Sequence, residues 1–442
     1  QTIMKVLKFG GTSVGSAQRM KNVAKLICNG EKKIVVLSAM SGTTNSLLEI
    51  ADYFYKSNLD GALEHIITLE NKYRDVVEEL LTTEEKRQEA RSILSSHFDY
   101  LRSFAKSVFT IFEEKAIVAQ GELLSTSLFQ LYLEEIGENS ILLPALEFMR
   151  IDKNAEPDNA YIKQHLNDLL EAHPGHEIYL TQGFICRNAY GEIDNLQRGG
   201  SDYTASLIGA AVNAEEIQIW TDIDGMHNND PRFVEGTKPI PMLHFEEAAE
   251  LAYFGAKILH PTCILPAKLA NIPVRLLNTM EPEASGTLIS TRMNKGKIEA
   301  VAAKDGITAI KIQSGRMLLA YGFLRKVFEI FESYKTPIDM ITTSEVGVSV
   351  TIDNTKKLDE IVNDLKKLGT VTVDHDMVII CVVGDLPFEN VGFQSKVVGA
   401  LKDIPLRMIS YGGSNFNISF LIKAEDKKHA LNALSQALFS EE

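Results

Sequence analysis

The chain has 442 residues and a formal net charge of −14; hydrophobic residues make up 45% of it and charged residues 24%. Its length exceeds what one ordinary core accommodates, so two or three domains are expected. The acidic balance disfavours a nucleic-acid partner, which needs a basic face, and no apolar run approaches the roughly 20 residues of a membrane span. Four cysteines without CxxC spacing, and a start without a signal-peptide core, favour a cytoplasmic protein.

The first part of the chain alternates strand and helix signals. Several helices are predicted between residues 47 and 133. Strands are predicted near residues 6–9, 33–38, 178–180, 216–220 and 273–277. Because strands that alternate with helices form a mostly parallel sheet covered on both faces, this region is predicted to have an α/β fold. A polar joint at residues 293–297 ends the pattern.

The C-terminal third contains a diverged internal repeat. The segment at Asp339 and the strand that includes Val350 return about 70 residues later, at Arg407 and Phe420. Two copies of a βαββαβ unit would explain this spacing. The alternative is that two unrelated α+β segments contain a similar strand.

The most prominent motif is KFGGTSVG at residues 8–15, where the first predicted strand ends. Glycines at a strand end let backbone N–H groups approach phosphate oxygens, and a following helix N-terminus favours an anion. The motif is not a Walker A loop, because Lys8 precedes the glycines. The residues alone leave two interpretations open, a phosphate site at Gly10 and Gly11 or a tight turn.

A second loop, SAMSGTTN at residues 38–45, follows a buried strand. The carboxyl ends of parallel strands are where α/β sheets bind ligands. The same residues also suit a turn before a helix, with Thr44 or Asn45 as the N-cap. A ligand contact and a helix cap are compatible at this position.

A third motif, RGGSDYTA at residues 198–205, places an arginine beside two glycines. A guanidinium in such a position can hold a carboxylate through two parallel hydrogen bonds, so Arg198 is a candidate carboxylate ligand. Asp202 is expected either to orient a lysine or a metal, or to cap the helix that starts there.

Three weaker signals come from charged residues. The acidic run at residues 220–232 does not fit a calcium loop, because Gly225 comes too early and no glutamate closes it, so a turn is expected. Lys257 stands in an apolar stretch predicted to be helical and therefore requires an anionic partner such as a phosphate. The histidines His173 and His176 lack a third ligand nearby and do not predict a metal site.

Taken together and in this order, the motifs resemble those of the aspartate kinases in the amino acid kinase family, over essentially the whole chain. KFGGTSVG and the segment ITTSEVGVSVTID at residues 341–353 carry most of the resemblance. It implies an amino acid kinase-like, mostly parallel sheet flanked by helices at residues 1–295. Two α+β ACT domains of the ferredoxin-like βαββαβ type are expected at residues 296–374 and 375–442, with residues 296–306 alternatively belonging to the second.

The resemblance implies phosphoryl transfer from ATP to the side-chain carboxylate of L-aspartate, giving 4-phospho-L-aspartate, the first step of lysine, threonine and methionine biosynthesis. Mg²⁺ is expected to be carried by ATP, without a metal site of the protein's own. Because a carboxylate is already nucleophilic at neutral pH, positioning and charge neutralisation are expected to suffice without a general base.

The resemblance also assigns roles to residues. Lys8 and Asp202 are the expected catalytic residues. The expected ATP and phosphate contacts are Lys8, Gly10, Gly11, Ser38, Thr221, Asp222, His227, Arg232 and Lys257. The expected aspartate contacts are Thr44, Glu122, Arg198 and Ser201. Glu122 is expected to pair with the α-ammonium group and Arg198 with the α-carboxylate.

The ACT domains imply allosteric regulation, and lysine is the expected effector. The expected effector-site residues are Met317, Ala320, Phe323, Leu324, Ile338, Asp339, Ser344 and Glu345. Asp339 and Glu345 suit an effector with a cationic group. Because such sites normally form between two subunits, a homodimer is expected. No dinucleotide fingerprint follows the repeat, so a monofunctional kinase is expected.

Two alternatives stay open, a kinase of the same fold for another small carboxylate and a non-catalytic ACT-domain amino-acid sensor. Arg198 and Glu122 favour aspartate over another carboxylate, while Lys8, Asp202 and Lys257 favour an enzyme over a sensor.

Overall fold

A computed structural model describes residues 3–106, 108–197, 199–223, 225–254, 259–315 and 320–440. The chain divides into two compact units. The first unit comprises Gln1–Gly225 and Ile258–Arg292, and the second unit comprises Met226–Lys257 and Met293–Glu442. The second unit thus includes a segment that interrupts the first unit in sequence.

The elements of the described residues are as follows. The strands are β1 (Lys5–Phe9), β2 (Lys33–Leu37), β3 (Ser140–Leu142), β4 (Ile178–Gln182), β5 (Ile185–Arg187), β6 (Ile193–Asn195), β7 (Glu216–Thr221), β8 (Met242–His244), β9 (Val274–Asn278), β10 (Thr287–Ser290), β11 (Ile298–Gln313), β12 (Ile341–Thr343), β13 (Gly347–Ile352), β14 (Thr370–Gly384), β15 (Met408–Ser410) and β16 (Asn417–Lys423). The helices are α1 (Ala17–Ile27), α2 (Thr43–Tyr55), α3 (Leu59–Leu80), α4 (Glu84–Ser103), α5 (Ile111–Glu135), α6 (Asn159–Ala172), α7 (Gly200–Val212), α8 (Phe245–Tyr253), α9 (Pro261–Leu269), α10 (Phe323–Ser333), α11 (Leu358–Lys366), α12 (Phe393–Ala400) and α13 (Lys427–Phe439). Within these residues we find no helical segment with the length and hydropathy that a bilayer crossing requires.

In the first unit seven strands lie side by side in the order β3-β4-β2-β1-β7-β9-β10. The pairs from β3 to β9 are parallel, and β10 runs antiparallel to β9. Every residue of β2 and β4 is buried, as expected for strands that helices cover on both faces. The predicted mostly parallel sheet and its predicted strands are confirmed.

Strand β1 is the point at which the order of the parallel strands changes direction, with β2 on one side and β7 on the other. Phe9 at the end of β1 lies opposite Leu37 of β2 and Trp220 of β7. The residues that follow these three strands therefore share one edge of the sheet. A crevice at such an edge is where open α/β sheets bind ligands.

Helix α5 is the central helix of the first unit. A capping box between Thr110 and Glu113 fixes its N-terminus, and most of its later residues are buried on every side. It packs in one core with β1, β2 and α1 to α4, where Tyr73, Phe98 and Phe129 are fully buried. A helix enclosed in this way holds its polar residues, Glu122 among them, in fixed positions.

For the segment at residues 254–261, where the sequence predicts a helix, the structure describes Phe254 and residues 259–261. Helix α8 ends at Tyr253 and α9 begins at Pro261, so the described residues Phe254, Leu259 and His260 lie between two helices. His260 caps α9 by accepting a hydrogen bond from the backbone of Thr262, and Pro261 suits the first helical position. Lys257 lies outside the described residues.

In the second unit six strands form one sheet in the order β12-β13-β11-β14-β16-β15, with antiparallel pairing. The long strands β11 and β14 each serve two copies of a βαββαβ unit. Residues 308–313 of β11 pair with β13, whereas residues 298–304 lie opposite residues 379–384 of β14. The predicted repeat is confirmed, and the pairing supports the alternative that residues 296–306 belong with the second copy.

Each copy has its own hydrophobic core. The first core contains Val350 of β13 with Val327 and Phe331 of α10, and the second contains Ile380 of β14 with Phe420 of β16. The equivalent strand positions that revealed the repeat in the sequence are therefore the buried centres of two separate cores.

Truncation of Ile380 tests this packing. Ile380 is fully buried opposite Phe420, so Ile380→Ala is expected to lower the free energy of unfolding by about 2–4 kcal/mol. Ile409 of β15 is 46% exposed, and Ile409→Ala removes the same atoms at a cost below about 0.5 kcal/mol. Urea unfolding followed by circular dichroism measures both changes. If the free energy of unfolding fell equally in the two variants, the assignment of Ile380 to the core would be contradicted.

Candidate active site

An ion pair stands at the end of β1. The Lys8 ammonium nitrogen lies 2.7 Å from Oδ1 of Asp202 in the first turn of α7, and the two side chains are 12% and 15% exposed. The same nitrogen would lie 3.4 Å from a Cβ atom built on Gly10, so the ammonium group sits directly beside the glycine turn. The structure thus brings two predicted catalytic residues together at the sheet edge.

Asp202 does not cap α7. The N-cap is Gly199, without a side-chain cap hydrogen bond, so of the two roles considered for Asp202 the structure favours orientation of a lysine. Gly199 has φ +75°, and a methyl group there would overlap the Cys263 sulfur atom of α9. Only glycine fits this position, and the contact with Cys263 fixes the backbone just before Asp202.

The glycine turn after β1 packs closely against the loop after β2 and is hydrogen-bonded to it. The backbone N–H of Ser41 donates to Gly11 O at 3.1 Å, and a Cβ atom on Gly11 would approach Ala39 O to 3.0 Å. The first turn then leads into α1, whose N-cap is Ser16. The close contact explains why a glycine is needed beside the candidate phosphate site.

A cavity of about 310 Å³ lies at this edge. Five predicted site residues from four segments of the chain line it, namely Gly11, Ser38, Thr44, Glu122 and Ser201. The sequence analysis did not identify Phe184, which also lines the cavity and follows β4. The cavity thus collects residues predicted to contact phosphate and residues predicted to contact the amino acid.

Glu122 is the buried carboxyl group of the cavity, with 3% of its surface exposed. Its Oε1 accepts a hydrogen bond of 3.4 Å from the backbone N–H of Ala39. Among the described residues, its Oε2 has no hydrogen-bond partner. Burial raises the pKa of Glu122 to about 8, against the opposing effect of the backbone N–H groups of Glu122 and Ala39. A carboxyl group in this setting is suited to a cationic ligand, which would favour its ionised form.

Hydroxyl groups tie the walls of the cavity together. Ser38 Oγ donates to Ser201 Oγ at 2.9 Å, which joins the end of β2 to the start of α7. Ser125, one turn after Glu122 in α5, donates to Ser38 O at 2.8 Å. No local pattern pointed to Ser125, because serine within a helix is common and has many possible partners.

Thr44 contributes to the cavity but not to a helix cap. Helix α2 begins at Thr43, and its N-cap is Gly42 in the left-handed conformation, so the prediction that Thr44 or Asn45 caps the helix is wrong. Thr43 instead shares a buried hydrogen bond of 2.7 Å with the Tyr73 hydroxyl of α3, which anchors the start of α2 below the cavity.

The expected nucleotide contacts are divided between the two units. Thr221 is the last residue of β7, at the same sheet edge as Gly10. The backbone N–H of Thr279 donates a hydrogen bond of 2.8 Å to the carbonyl oxygen of Thr221. Asp222, the next residue, is exposed. His227 and Arg232 belong to the second unit.

Both of these second-unit residues have partners within that unit. His227 Nδ1 lies 2.9 Å from Thr237 Oγ1. The exposed Arg232 side chain donates hydrogen bonds to the Asp230 carboxylate, the shortest of which is 2.7 Å, from Nη2 to Oδ2. Lys257 and Arg198 lie outside the described residues, so their predicted contacts stay predictions.

The expected effector residues lie in the first copy of the second unit. Phe323 is buried at the start of α10 and Ile338 packs against the core of that copy, whereas Ala320, Leu324, Ser344 and Glu345 are exposed. Met317 lies outside the described residues.

Asp339 is the deeply buried charge of this group. Its side chain is 3% exposed, and its Oδ1 lies 2.8 Å from the Lys304 ammonium nitrogen. Burial raises the pKa of Asp339 even though Lys304 opposes the change. For Lys304 burial alone would lower the pKa, but the hydrogen bond and charge of Asp339 outweigh it and raise the pKa. The sequence analysis missed Lys304, although it directly follows the apolar residues 300–303 of β11, a signal similar to the one that singled out Lys257.

The two histidines of the HxxH spacing lie at the end of α6 and in the loop that follows it. His176 Nδ1 lies 2.9 Å from Asn139 Oδ1, and His173 ends α6. Within the described residues no group of three or more histidine, cysteine, aspartate or glutamate side chains is arranged to hold a metal ion.

The pH dependence of stability tests the burial of Glu122. Because the pKa of Glu122 is about 8 in the folded protein, and roughly 4.3 in an unfolded chain, the folded state retains a proton between these values that the unfolded state has released. This contribution lowers stability as the pH rises toward about 8 and is constant above it. Glu122→Gln cannot ionise, so its melting temperature relative to wild type should rise from about pH 6 to about pH 8 and then level off.

Differential scanning calorimetry of the ligand-free proteins measures this difference. Glu171→Gln, which removes an exposed carboxylate from α6, is the control. A difference between Glu122→Gln and wild type that does not vary with pH would contradict the burial of an ionisable carboxyl group.

Comparison with known proteins agrees with this geometry. The model of the amino acid kinase family matches residues 4–278, and an ACT domain model matches residues 380–438. Aspartokinase 3, chloroplastic, of Arabidopsis thaliana is 36% identical over 98% of this chain and 81% of the relative.

Two solved structures of E. coli aspartokinase III also match. The complex with lysine and aspartate has 33% identity and a TM-score of 0.83 and covers 99% of each chain. The complex with aspartate and ADP has 32% identity and a TM-score of 0.81, and it covers 99% of this chain and 100% of that chain. Because the kinase model spans more than half of the chain and the relatives match nearly all of it, the chain belongs to the amino acid kinase family, among its aspartate kinases, and carries a C-terminal ACT domain.

Proposed function

We propose that the protein transfers the γ-phosphoryl group of MgATP to the side-chain carboxylate of L-aspartate, giving ADP and 4-phospho-L-aspartate for lysine, threonine and methionine biosynthesis. The observation that carries the proposal is the Lys8–Asp202 pair beside a cavity that contains the buried Glu122 carboxyl group. The matching E. coli enzyme, whose complexes contain aspartate and ADP, supports the choice of substrates.

The amino acid binds by its charged backbone groups. The α-ammonium group pairs with Glu122, whose Oε2 has no partner among the described residues. Arg198, directly before the glycine N-cap of α7, takes the α-carboxylate, and Thr44 and Ser201 offer hydroxyl groups. With both backbone groups held, the side-chain carboxylate is left to face the phosphates.

Phosphoryl transfer depends on positioning and on charge. The Lys8 ammonium group stabilises the negative charge of the transferring group, Asp202 orients Lys8, and the backbone N–H groups of Gly10 and Gly11 donate to phosphate oxygens. The aspartate carboxylate attacks without a general base. We assign Mg²⁺ to the ATP phosphates, where it would neutralise charge. We assign the remaining nucleotide contacts to Ser38, Thr221, Asp222, His227, Arg232 and Lys257.

The second unit is proposed to bind a regulatory amino acid, with lysine as the best candidate. The lysine complex of the E. coli enzyme and the buried Asp339 carboxylate support this choice. A homodimer would cover two exposed apolar residues, Leu324 of the proposed effector site and Val346 next to Glu345. We also propose three domains, at residues 1–295, 296–374 and 375–442, with residues 296–306 joining the last domain. The proposed location is the cytoplasm.

Replacement of Lys8 tests the catalytic assignment. Lys8→Ala is expected to lower kcat by about 10²–10³ or more, because it removes the cation that faces the transferring group. Trapping aspartyl phosphate with hydroxylamine in the presence of MgATP and L-aspartate measures the rate. Lys25→Ala, at an exposed position of α1, is the control and should retain the wild-type rate within about twofold.

The outcomes separate the parts of the proposal. If the wild-type protein forms aspartyl phosphate, lysine suppresses this activity and EDTA abolishes it, the result supports the kinase activity, lysine as the effector and the need for Mg²⁺. If lysine leaves the activity unchanged, the kinase assignment stands and lysine is not the effector. A folded, ATP-saturated wild-type protein that forms no aspartyl phosphate would contradict the kinase and favour the amino-acid sensor.

A further inference from the structure

Phe184 occupies a strained turn in the wall of the cavity. It lies between β4, which ends at Gln182, and β5, which begins at Ile185. The backbone N–H of Ile185 donates to Gly183 O at 2.8 Å, and Phe184 at the centre of this three-residue turn has φ +71°. A γ-turn with a positive central φ is rare and strained, and phenylalanine is unusual in the left-handed region. Strain of this kind persists only where surrounding contacts enforce it.

Thr204 supplies a contact that enforces the turn. Its Oγ1 accepts a hydrogen bond of 2.8 Å from the backbone N–H of Phe184 and donates one of 3.3 Å to Gly200 O. The Thr204 side chain is fully buried in α7. The carbonyl oxygen of Phe184 accepts a hydrogen bond of 2.9 Å from the backbone N–H of Leu196. Both backbone polar groups of Phe184 are therefore satisfied, and the N–H group depends on a single hydroxyl group of α7.

Close packing of the turn against α7 fixes the position of the Phe184 ring. A Cβ atom on Gly183 would overlap the Ser201 side chain, so the backbone before Phe184 lies directly against the first turn of α7. The Cδ2 atom of Phe184 lies 3.7 Å from the position of a Cβ atom built on Gly200, an ordinary packing distance. The ring therefore stands beside Gly200 and Ser201, the two residues of α7 that line the cavity.

Phe184 is the one aromatic side chain among the described residues that line the cavity. Most of the other lining residues are small or polar. In the proposed reaction Glu122 holds the ammonium group of the amino acid, so the opposing walls decide how long a side chain fits. A packed ring yields less than a small polar wall does, and one methylene group in a confined apolar pocket changes discrimination by about 10- to 200-fold.

We infer that Thr204 is a positioning residue of the amino-acid site, whose hydroxyl group keeps the Phe184 ring in the cavity wall so that aspartate is accepted in preference to glutamate. Thr204 is not among the described lining residues and acts through Phe184. Without the hydroxyl group, a change of backbone conformation relieves the strain at Phe184, and the ring leaves its place beside Gly200. The inference rests on the proposed kinase function and adds what sets the length of its substrate.

Thr204→Val tests this role, because valine keeps the shape of threonine and removes the hydroxyl group, whereas Thr204→Ser retains a hydroxyl group. Phe184→Gly removes the ring, and glycine suits the left-handed turn. The matched control is Thr181→Val, on β4, because Thr181 is buried and its Oγ1 has no hydrogen-bond partner in the described part of the chain. Isothermal titration calorimetry gives the Kd for L-aspartate and for L-glutamate, and the hydroxylamine assay gives the KM for ATP.

The ratio of the glutamate Kd to the aspartate Kd is expected to fall at least about tenfold in Thr204→Val and in Phe184→Gly. Thr204→Ser, which keeps the hydrogen-bond acceptor, and Thr181→Val, which loses no hydrogen bond, should hold this ratio within about threefold of wild type. The KM for ATP should change less than about twofold in Thr204→Val, because the substitution alters the binding of the amino acid alone.

Four results would overturn the inference. A wild-type protein that binds both amino acids equally has no length selection, and a folded Thr204→Val with the wild-type ratio does not need the hydroxyl group. If Thr204→Val does not fold, an unchanged ratio in Phe184→Gly excludes the ring as the wall. An equal fall in Thr181→Val would show a general loss of order at β4. These results leave the kinase proposal in place, whereas a wild-type protein that does not bind aspartate removes both.

Discussion

The Lys8 ammonium group and the Asp202 carboxylate are 2.7 Å apart and largely withdrawn from solvent, and each compensates the other for lost hydration. The first unit is arranged around this requirement. Strand β1 fixes Lys8 at the point where the strand order changes direction, and Gly199 lets α7 begin where its first turn faces Lys8. Either charge alone would be costly at this position, so the two strand-end loops and the start of α7 must keep their relative geometry.

The cavity beside this pair contains the Glu122 carboxyl group, and its lining residue Gly11 belongs to the glycine turn that lies next to Lys8. Glu122 supplies a carboxyl group that burial keeps weakly acidic until a cation arrives, and Lys8 supplies a cation beside the glycine turn. This chemistry suits the proposed substrate, an amino acid with an ammonium group for Glu122 and a side-chain carboxylate for the phosphoryl group that Lys8 would stabilise. The second unit uses the same principle at Asp339, a buried carboxylate with one oxygen still able to accept a cation.

Much of this arrangement could be predicted from the sequence, because local patterns specify it. The apolar runs of β2 and β4 predicted buried parallel strands, and Val350 and Phe420 revealed the repeat because each lies at the centre of a core. The glycine motif predicted the turn at the end of β1, since glycine is required where a loop approaches backbone closely.

The failures have identifiable physical causes. Thr44 or Asn45 was expected to cap α2, but Gly42 in the left-handed conformation is the N-cap, so the helix already begins at Thr43. At the described residues Leu259 and His260 the predicted helix is absent, because Pro261 favours the start of a new helix. The contact of Lys304 with Asp339 joins segments that are distant in sequence, and no local pattern specifies that they will meet.

The central claim is that Glu122 recognises an ammonium group in the cavity, while Lys8 beside the cavity stabilises the transferring phosphoryl group. It is tested most directly by comparing kcat/KM for L-aspartate and succinate in a coupled assay of ADP release. Succinate keeps both carboxylates and lacks the ammonium group, so it would leave the buried Glu122 without its partner. The account predicts a kcat/KM for succinate at least about 10²-fold lower. Equal values for the two acids would contradict the role of Glu122 and the assignment of the cavity to an amino acid.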